Sequence, residues 1–236
     1  MKTVSIKTLV LTGYDDGMKE VGDLTSLLMR SYAYFHSFDF RCVREYHQRM
    51  HPSFQKMEQI LLELESYDRV VWIDADAVIT NFRTNLDWFV EDGINVSEDW
   101  GKPVSDVTDN HKPLPLTRHF SMGIFVSTKE AIPVFRWVLE QKHWYWKMSF
   151  EQSAMQDGAT DHGWIRKLVH IHPNRVMNSV DAALGELIDP RTGRLAHEGN
   201  PVRTPWALGD WLCHLTGRSN AERLKRIEHY VKTGSF

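Results

Sequence analysis

Two aspartates stand two residues apart at the end of the run Arg69-Val70-Val71-Trp72-Ile73-Asp74-Ala75-Asp76. The run is β-branched and aromatic and ends in acid, the pattern of a buried strand that delivers carboxylates to a sheet edge. Two carboxylates so placed repel one another and lose hydration, and a bound cation relieves both problems. Oxygen ligands select Mg²⁺ or Mn²⁺, ions commonly shared with substrate phosphates. Solvated loop aspartates can carry the same spacing, so the pair alone leaves the question open. The apolar run ahead of it favours a metal site.

The elements that must position this pair alternate along the chain. Thr8 to Thr12 reads as a buried strand that ends at Gly13. A helical pattern follows from about Asp23 to Ser37, with Leu24, Leu27, Leu28, Ser31, Tyr32 and Phe35 on one face. Phe40 to Val43 suits a second strand. Phe54 to Leu64 is amphipathic, with Met57, Ile60, Leu61 and Leu64 inward and a start signal at Pro52-Ser53. Strand, helix, strand, helix, strand is the order of a parallel α/β sheet with right-handed crossovers. In such sheets ligands bind beyond the carboxyl ends of the strands, where Asp74 and Asp76 lie. Further strands are expected at Ile94 to Ser97, Gly123 to Ser127 and Leu168 to Ile171. Helices are expected at Lys129 to Gln141, from Phe150 to about Gln156, and from Ser219 to Lys232. Two irregular stretches, Asp99 to Thr117 and Asp181 to Thr204, have the length of loops that cover a cleft.

The 236 residues suit a single α/β domain, 1–236. A formal net charge of −3 gives no electrostatic reason to expect a nucleic-acid partner. The nine Trp, seven Tyr and eleven Phe are more aromatic side chains than usual and belong mostly to the core. Two cysteines, Cys42 and Cys213, are too few for a secreted disulfide scaffold and read as buried thiols. No stretch reaches the roughly 18 apolar residues of a membrane span. Met1 to Leu11 is too short and too interrupted by Lys2 and Lys7 for a signal peptide, so the chain is expected to be cytoplasmic, or a catalytic fragment cut from an anchor. Asn95-Val96-Ser97 spells a glycosylation sequon that in a cytosolic chain carries no meaning.

Two enzyme classes place Asp-x-Asp after an apolar strand. Asp74-Ala75-Asp76-Ala77-Val78 matches the first motif of haloacid dehalogenase-like phosphatases literally. Asp68 to Asn81, DRVVWIDADAVITN, also resembles the Asp-x-Asp region of glycosyltransferases of the GT-A fold, in particular the family of yeast α-mannosyl- and α-galactosyltransferases and plant xyloglucan xylosyltransferases. Other stretches resemble that family in order. Ser31 to Phe38 is similar to its "YA…HGY" helix end, and Lys56 to a lysine upstream of the acidic pair. Ser121-Met122-Gly123-Ile124-Phe125 is similar to its "N-x-G-x-F" strand, Glu151-Gln152-Ser153-Ala154 to its "DQ-S-A" helix start, and Gly209 to Gly217 to its "GDF-x-x-H-x-x-G" segment. The chain departs from the pattern at Ser121, which replaces Asn, and at Glu151, which replaces Asp. Arg218-Ser219 follows where the family has a cysteine and a lysine. No stretch of the 236 residues resembles the membrane anchor of the family, so a bacterial or viral relative is expected.

The resemblance implies a GT-A, Rossmann-like domain with a mainly parallel central sheet flanked by helices, its residues 1–100 a nucleotide-binding half and 101–236 an acceptor-binding half. It implies a nucleotide-sugar donor (a UDP-sugar, or a GDP-sugar as in the mannosyl branch), a glycan acceptor and retention of configuration. Asp76 would bind Mn²⁺ or Mg²⁺, Asp74 would hold the ribose or join the metal, and His214 would be the third ligand; imidazole favours Mn²⁺. Thr12, Gly13 and Tyr14 would meet the base, with Gly13 permitting close approach and Tyr14 stacking. Arg30, Lys56 and Arg218 are candidate phosphate or donor contacts, with Ala75, Ser121, Gly123 and Gly217 completing the donor site. Glu151 and Gln152 would stand beside the sugar as the catalytic pair. His143-Trp144-Tyr145-Trp146 suits core packing or an acceptor groove. A phosphatase would need a second acidic pair, for which Gly209-Asp210 is a poor substitute. A non-catalytic nucleotide-sugar-binding protein is the remaining alternative, and the presence of both aspartates, His214 and Gln152 argues against it.

Overall fold

The computed structural model describes residues 6–46, 51–98, 120–141, 155, 158, 162–164, 167–172, 179–180, 206–215 and 218–236. The expected helix from Phe150, the two long irregular stretches and the His143 to Trp146 turn fall outside them, apart from isolated positions. Among the described residues the chain is α/β, with a six-stranded, mostly parallel sheet flanked by helices.

The strands are β1 (Thr8–Gly13), β2 (Asp39–Val43), β3 (Arg69–Ile73), β4 (Ala77–Ile79), β5 (Ile94–Glu98), β6 (Phe120–Thr128), β7 (Val169–His172), β8 (Ser179–Val180) and β9 (Leu212–His214). The helices are α1 (Lys19–Phe35), α2 (Pro52–Glu63), α3 (Ile132–Glu140) and α4 (Asn220–Thr233). The large sheet has the order β2-β1-β3-β6-β5-β7. β6 runs antiparallel to both of its neighbours, and the other pairings are parallel. The carboxyl ends of β1 and β3 therefore lie side by side. A second, three-stranded sheet, β4-β9-β8, has no counterpart in the sequence-based expectation. Its strands are two or three residues long, too short to show a period.

Alternation along the strands sorts side chains into two layers. Leu9, Leu11, Val70, Trp72, Val96 and Phe125 face α2 and α3, where they meet Phe54, Met57, Ile60, Leu64, Val134 and Phe135. Val10, Val71, Ile73, Ile124 and Val126 face α1 and the small sheet, meeting Met29, Tyr32, Ala33, Ala77, Ile79 and Leu212. The small sheet repeats the trick. Val78 and Cys213 point the other way, onto Val21 of α1 and Ile227 of α4. The small sheet is thus held between the large sheet and the C-terminal helix.

Helix α2 begins at Pro52 as expected, with the His51 ring accepting from the Ser53 N–H at 3.3 Å. Helix α1 is phased differently from the expectation. Its buried residues are Val21, Gly22, Thr25, Met29, Tyr32 and Ala33, while Leu24, Leu27 and Phe35 are exposed. Of the expected face Tyr32 is buried and Leu28 half-buried, but Gly22, Thr25 and Ala33 take the other inward places beside Val21 and Met29. The helix ends in a Schellman motif: Phe38 N–H donates to Ala33 O at 2.8 Å, Ser37 N–H to Tyr34 O at 3.1 Å, and Ser37 has φ 59°. Helix α4 carries a capping box between Ser219 and Glu222 and stops at Gly234, φ 72°. Cys213 is buried, Cys42 only half-buried, and both are free thiols. Asn95 of the sequon is fully buried, its amide donating to Glu91 O at 2.7 Å, so the folded chain offers no glycan acceptor there.

Candidate active site

Asp74 follows the last residue of β3 and Asp76 precedes the first of β4, so the acidic pair spans the passage from the large sheet to the small one. Backbone bonds fix this turn at both ends. Asp74 N–H donates to Gly123 O at 2.8 Å, and Ala77 N–H closes back on Asp74 O at 3.0 Å. Between them Ala75 O accepts from the Thr25 hydroxyl of α1 at 2.7 Å. Antiparallel pairing of β4 with β9 sets Ala77 opposite His214, and Leu215 N–H reaches Asp76 O at 2.9 Å. The histidine, remote in sequence, is delivered to the acids by the small sheet.

Asp74, Asp76 and His214 each present a ligand atom, all within 4.8 Å of one another. Donors around an octahedral ion with bonds of about 2.1 Å stand about 3 to 4.2 Å apart, so small side-chain adjustments suffice to close on a cation. Two carboxylates and an imidazole are a donor set suited to a divalent cation. Gly123 of β6 makes room for this cluster. A methyl group built there would lie 2.5 Å from His214 Cε1 and 3.0 Å from Asp74 Oδ2.

The two acids have different environments. Asp74 Oδ1 accepts from the Trp72 indole N–H at 2.6 Å and lies 3.7 Å from Lys56 Nζ. Burial pushes its carboxyl above the usual range; Lys56 offsets part of this and the charge of Asp76 adds to it. Burial also opposes ionisation of Asp76, but His214 and Arg223 outweigh it and hold the carboxyl down at about 2. His214 Nε2 is 3.0 Å from Asp76 Oδ1, and Arg223 donates from its terminal nitrogen to Asp76 Oδ2 at 2.8 Å.

A cavity of about 270 Å³ opens over the pair, lined by Gly13, Tyr14, Asp15, Met18, Tyr46, Pro52, Asp74, Ala75, Asp76 and Arg223. That lies near the lower end of small-molecule sites, roughly 300–1,000 Å³. The structure thus brings Gly13, Tyr14, Asp74, Ala75 and Asp76 of the sequence-derived set to one cavity, with Gly123 and His214 behind the acids. It draws on both halves of the chain, since His214 and Arg223 belong to the second.

Other members of the set are placed differently. Gly13 is crowded by this chain's own Tyr46, whose hydroxyl would lie 2.1 Å from a methyl group there. Tyr14 is 6% exposed. Its ring lies against Gly22, its hydroxyl donates to Asp23 at 2.9 Å, and the Arg44 guanidinium sits 4.1 Å from the ring centre. That packing takes up the ring expected to stack on a base. Thr12 is buried within β1. Arg30 is exposed with its guanidinium over Phe40, and neither Arg30 nor Arg218 lines the cavity. Lys56 is buried and donates to Met122 O at 2.8 Å, next to Asp74. Ser121 Oγ accepts from Gly123 N–H at 3.2 Å, which braces the strand beside the site. Glu151, Gln152 and Gly217 lie outside the described residues.

Sequence reasoning missed Arg223, Thr25 and Tyr46. Arg223 is one of several basic residues in a polar helix, and nothing in its immediate sequence distinguishes it. It directly follows Glu222 of the Ser219–Glu222 capping box, and its partner Asp76 lies 147 positions away in sequence.

No protein-family model matches the sequence, and no curated protein matches it. Solved structures do match, at low identity. A glycosyltransferase involved in the glycosylation of the major capsid of PBCV-1 aligns with TM-score 0.61 and 13% identity, covering 94% of this chain and 99% of its own. The galactosyltransferase LgtC, in complex with donor and acceptor sugar analogs, aligns with TM-score 0.53 and 12% identity over 89% of this chain and 87% of its own. The bifunctional glycosyltransferase WbbM in its apo form gives TM-score 0.59 and 14% identity, over 100% of this chain and 53% of its own. At such identities the likeness is one of fold: the chain has the GT-A fold of these glycosyltransferases.

The phosphatase alternative finds no support in the site. Asp210, which would have to act in its second acidic motif, accepts the Ala207 N–H at 2.7 Å and serves a turn.

Proposed function

We propose that this chain is a metal-dependent glycosyltransferase that moves a hexose or pentose from a nucleotide-sugar, with UDP as the nucleotide, to a glycan acceptor with retention of configuration. The observation that carries this reading is the Asp74–Asp76–His214 cluster at the carboxyl end of β3, open to a cavity that reaches the end of β1. Its support is the GT-A fold and the family-like motifs, of which Gly123 and His214 lie at the acids. A metal held by Asp76, His214 and Asp74 would supply Lewis acidity to the diphosphate of the departing nucleotide.

The chain's own residues have the following parts. Asp76 and His214 would hold the ion, and Asp74 would serve it or the ribose, with Trp72 and Lys56 beside one of its carboxylate oxygens. Gly13 and Tyr14 form the wall where the nucleoside lies, with Tyr14 as a packed wall and not a free stacking surface. Gln152 and Glu151 would stand beside the sugar if the family resemblance holds at these positions. Residues 1–100 supply most of the donor site, and 101–236 the acceptor side together with His214 and Arg223.

The test is nucleotide release from a panel of UDP- and GDP-sugars, with and without Mn²⁺, on wild type and Asp76→Ala, with the anomer of any product read by NMR. Mn²⁺-dependent release lost in Asp76→Ala, with an unchanged anomer, is expected. Release of orthophosphate from a phosphomonoester without any effect of nucleotide-sugars would sink the proposal. Tight nucleotide binding without turnover would favour the binding protein.

A further inference from the structure

Arg223 enters the site from the first turn of α4, the helix that Ile227, Leu224 and Tyr230 pack against the small sheet. Its guanidinium is engaged through all three nitrogens. One terminal nitrogen donates to Asp76 Oδ2 at 2.8 Å. The other donates to Asn220 Oδ1 at 3.0 Å and lies 3.6 Å from Met18 Sδ. Nε donates to Leu215 O at 3.2 Å. The side chain is 14% exposed and lines the cavity together with Asp15 and Met18, the segment that leaves β1. Asn220 in turn donates to Gly17 O at 2.6 Å, so the arginine is tied to that same segment.

This arrangement has a consequence for ion binding. One oxygen of Asp76 faces His214 and the other faces Arg223, while Lys56 stands beside Asp74. The two carboxylates are already compensated by two fixed cations. A divalent ion that arrives alone meets this compensated pair and the positive charge of Arg223. A diphosphate brings the negative charge that Arg223 can take instead, and a guanidinium fork suits phosphate oxygens as well as it suits carboxylate.

We propose that Arg223 is the counter-charge of Asp76 in the donor-free protein and passes to the donor's diphosphate on binding, so that metal and nucleotide bind as a coupled pair. The inference rests on the nucleotide-sugar reading above. It gives Arg223 two opposed effects: it weakens the affinity for metal alone and strengthens the affinity for the metal–nucleotide pair. A residue that merely pins α4 would shift both in the same direction.

The experiment is Mn²⁺ titration of the full chain followed by electron paramagnetic resonance, without nucleotide and with saturating UDP or GDP. It is run on wild type, Arg223→Met, Arg223→Lys and Asp76→Asn. In wild type the nucleotide should tighten Mn²⁺ binding by about tenfold or more, within the usual range of such couplings. Arg223→Met should bind Mn²⁺ alone about tenfold more tightly and lose most of the nucleotide effect. Arg223→Lys keeps the charge without the fork, so it should bind Mn²⁺ alone like wild type with a reduced nucleotide effect. This variant decides the matter if Arg223→Met does not fold. Unchanged or weaker binding of Mn²⁺ alone in Arg223→Met, or full coupling in Arg223→Lys, would overturn the proposal while leaving the metal site intact. If wild type binds Mn²⁺ no better than Asp76→Asn, with or without nucleotide, the metal-dependent reading falls as well.

Discussion

Replacing Gly123 by alanine tests whether the metal cluster depends on the space this glycine leaves. The new methyl group would sit 2.5 Å from His214 Cε1 and 3.2 Å from His214 Nδ1. Carbon atoms pack comfortably at about 3.5–4.0 Å, so the imidazole must retreat by about 1 Å or the strand must shift. The backbone of His214 has little freedom to follow, because β9 is paired with β4 and the next residue, Leu215, is bonded to Asp76 O. Metal coordination tolerates about 0.2 Å of error, well short of that displacement. A 1 Å misplacement of a catalytic group costs about 100-fold in rate, and Gly123→Ala should lose about that much Mn²⁺-dependent turnover along with most of its Mn²⁺ affinity. Overpacking by one methyl group should cost about 1–3 kcal/mol of stability, a few degrees in Tm for each kcal/mol, so the protein stays folded at room temperature. Ile124→Val is the control. It lies next along the same strand and should lose about 1 kcal/mol without any change in metal affinity. Calorimetric Mn²⁺ titration and donor turnover on the two variants decide the matter. A Gly123→Ala protein within threefold of wild type in both would refute the reasoning.

The remaining predictions concern the supports of the site. The carboxyl of Asp74 is raised in the folded protein, so its ionisation opposes folding above the unfolded value of 3.8, and this penalty is absent below it. Asp74→Asn should therefore raise the Tm of the metal-free protein at pH 7, with the gain shrinking as the pH is lowered toward 4, while metal-dependent turnover falls at least 100-fold. A lower Tm at pH 7, read by scanning fluorimetry in EDTA, would contradict this. Thr25→Val removes the hydroxyl that satisfies Ala75 O and should cost about 1–3 kcal/mol and weaken Mn²⁺ binding, whereas Thr25→Ser should restore both. Ser37→Gly relieves a left-handed residue at the end of α1 and should stabilise the chain by about 1 kcal/mol, measured by urea unfolding, with turnover unchanged.

The parallel frame was legible because its strands are apolar and β-branched and α2 carries a recognisable start, whereas α1 begins at Lys19, four residues ahead of the expected Asp23 and without a side-chain cap. Val70 to Ile73 read as a buried strand from their side chains alone, and Pro52 marked the start of α2. The phase of α1 was not legible. Leucines are the usual markers of an inward face, but here Gly22, Thr25 and Ala33 are inward, Gly22 against the ring of Tyr14 and Thr25 bonded to the Asp74–Asp76 turn. The small sheet was hidden because strands of two or three residues have no period of their own and exist only through pairing. Ser37 shows the same limit at a helix end. The resemblance quoted there has glycine in "HGY", and this chain holds the left-handed turn with a serine, which local propensity alone would not place there.

The small sheet also explains how so few residues define the site. Asp74 follows the carboxyl end of β3, a central strand of the large sheet, and its carboxylate is anchored there by Trp72 and Lys56. Asp76 and His214 belong to the small sheet and are anchored by β4–β9 pairing and by Arg223 of α4. The cluster therefore straddles two separately supported layers, joined by the Asp74–Ala75–Asp76 turn and by the contact of Gly123 with both sides. Any change that slides the small sheet against the large one moves Asp76 and His214 together, away from Asp74. Ligand geometry therefore depends on the contact between the two sheets, where Ala77, Ile79 and Leu212 pack on Ile73, Ile124 and Val126. The C-terminal helix, remote from the acids in sequence, backs the small sheet through Ile227 and meets Asp76 through Arg223.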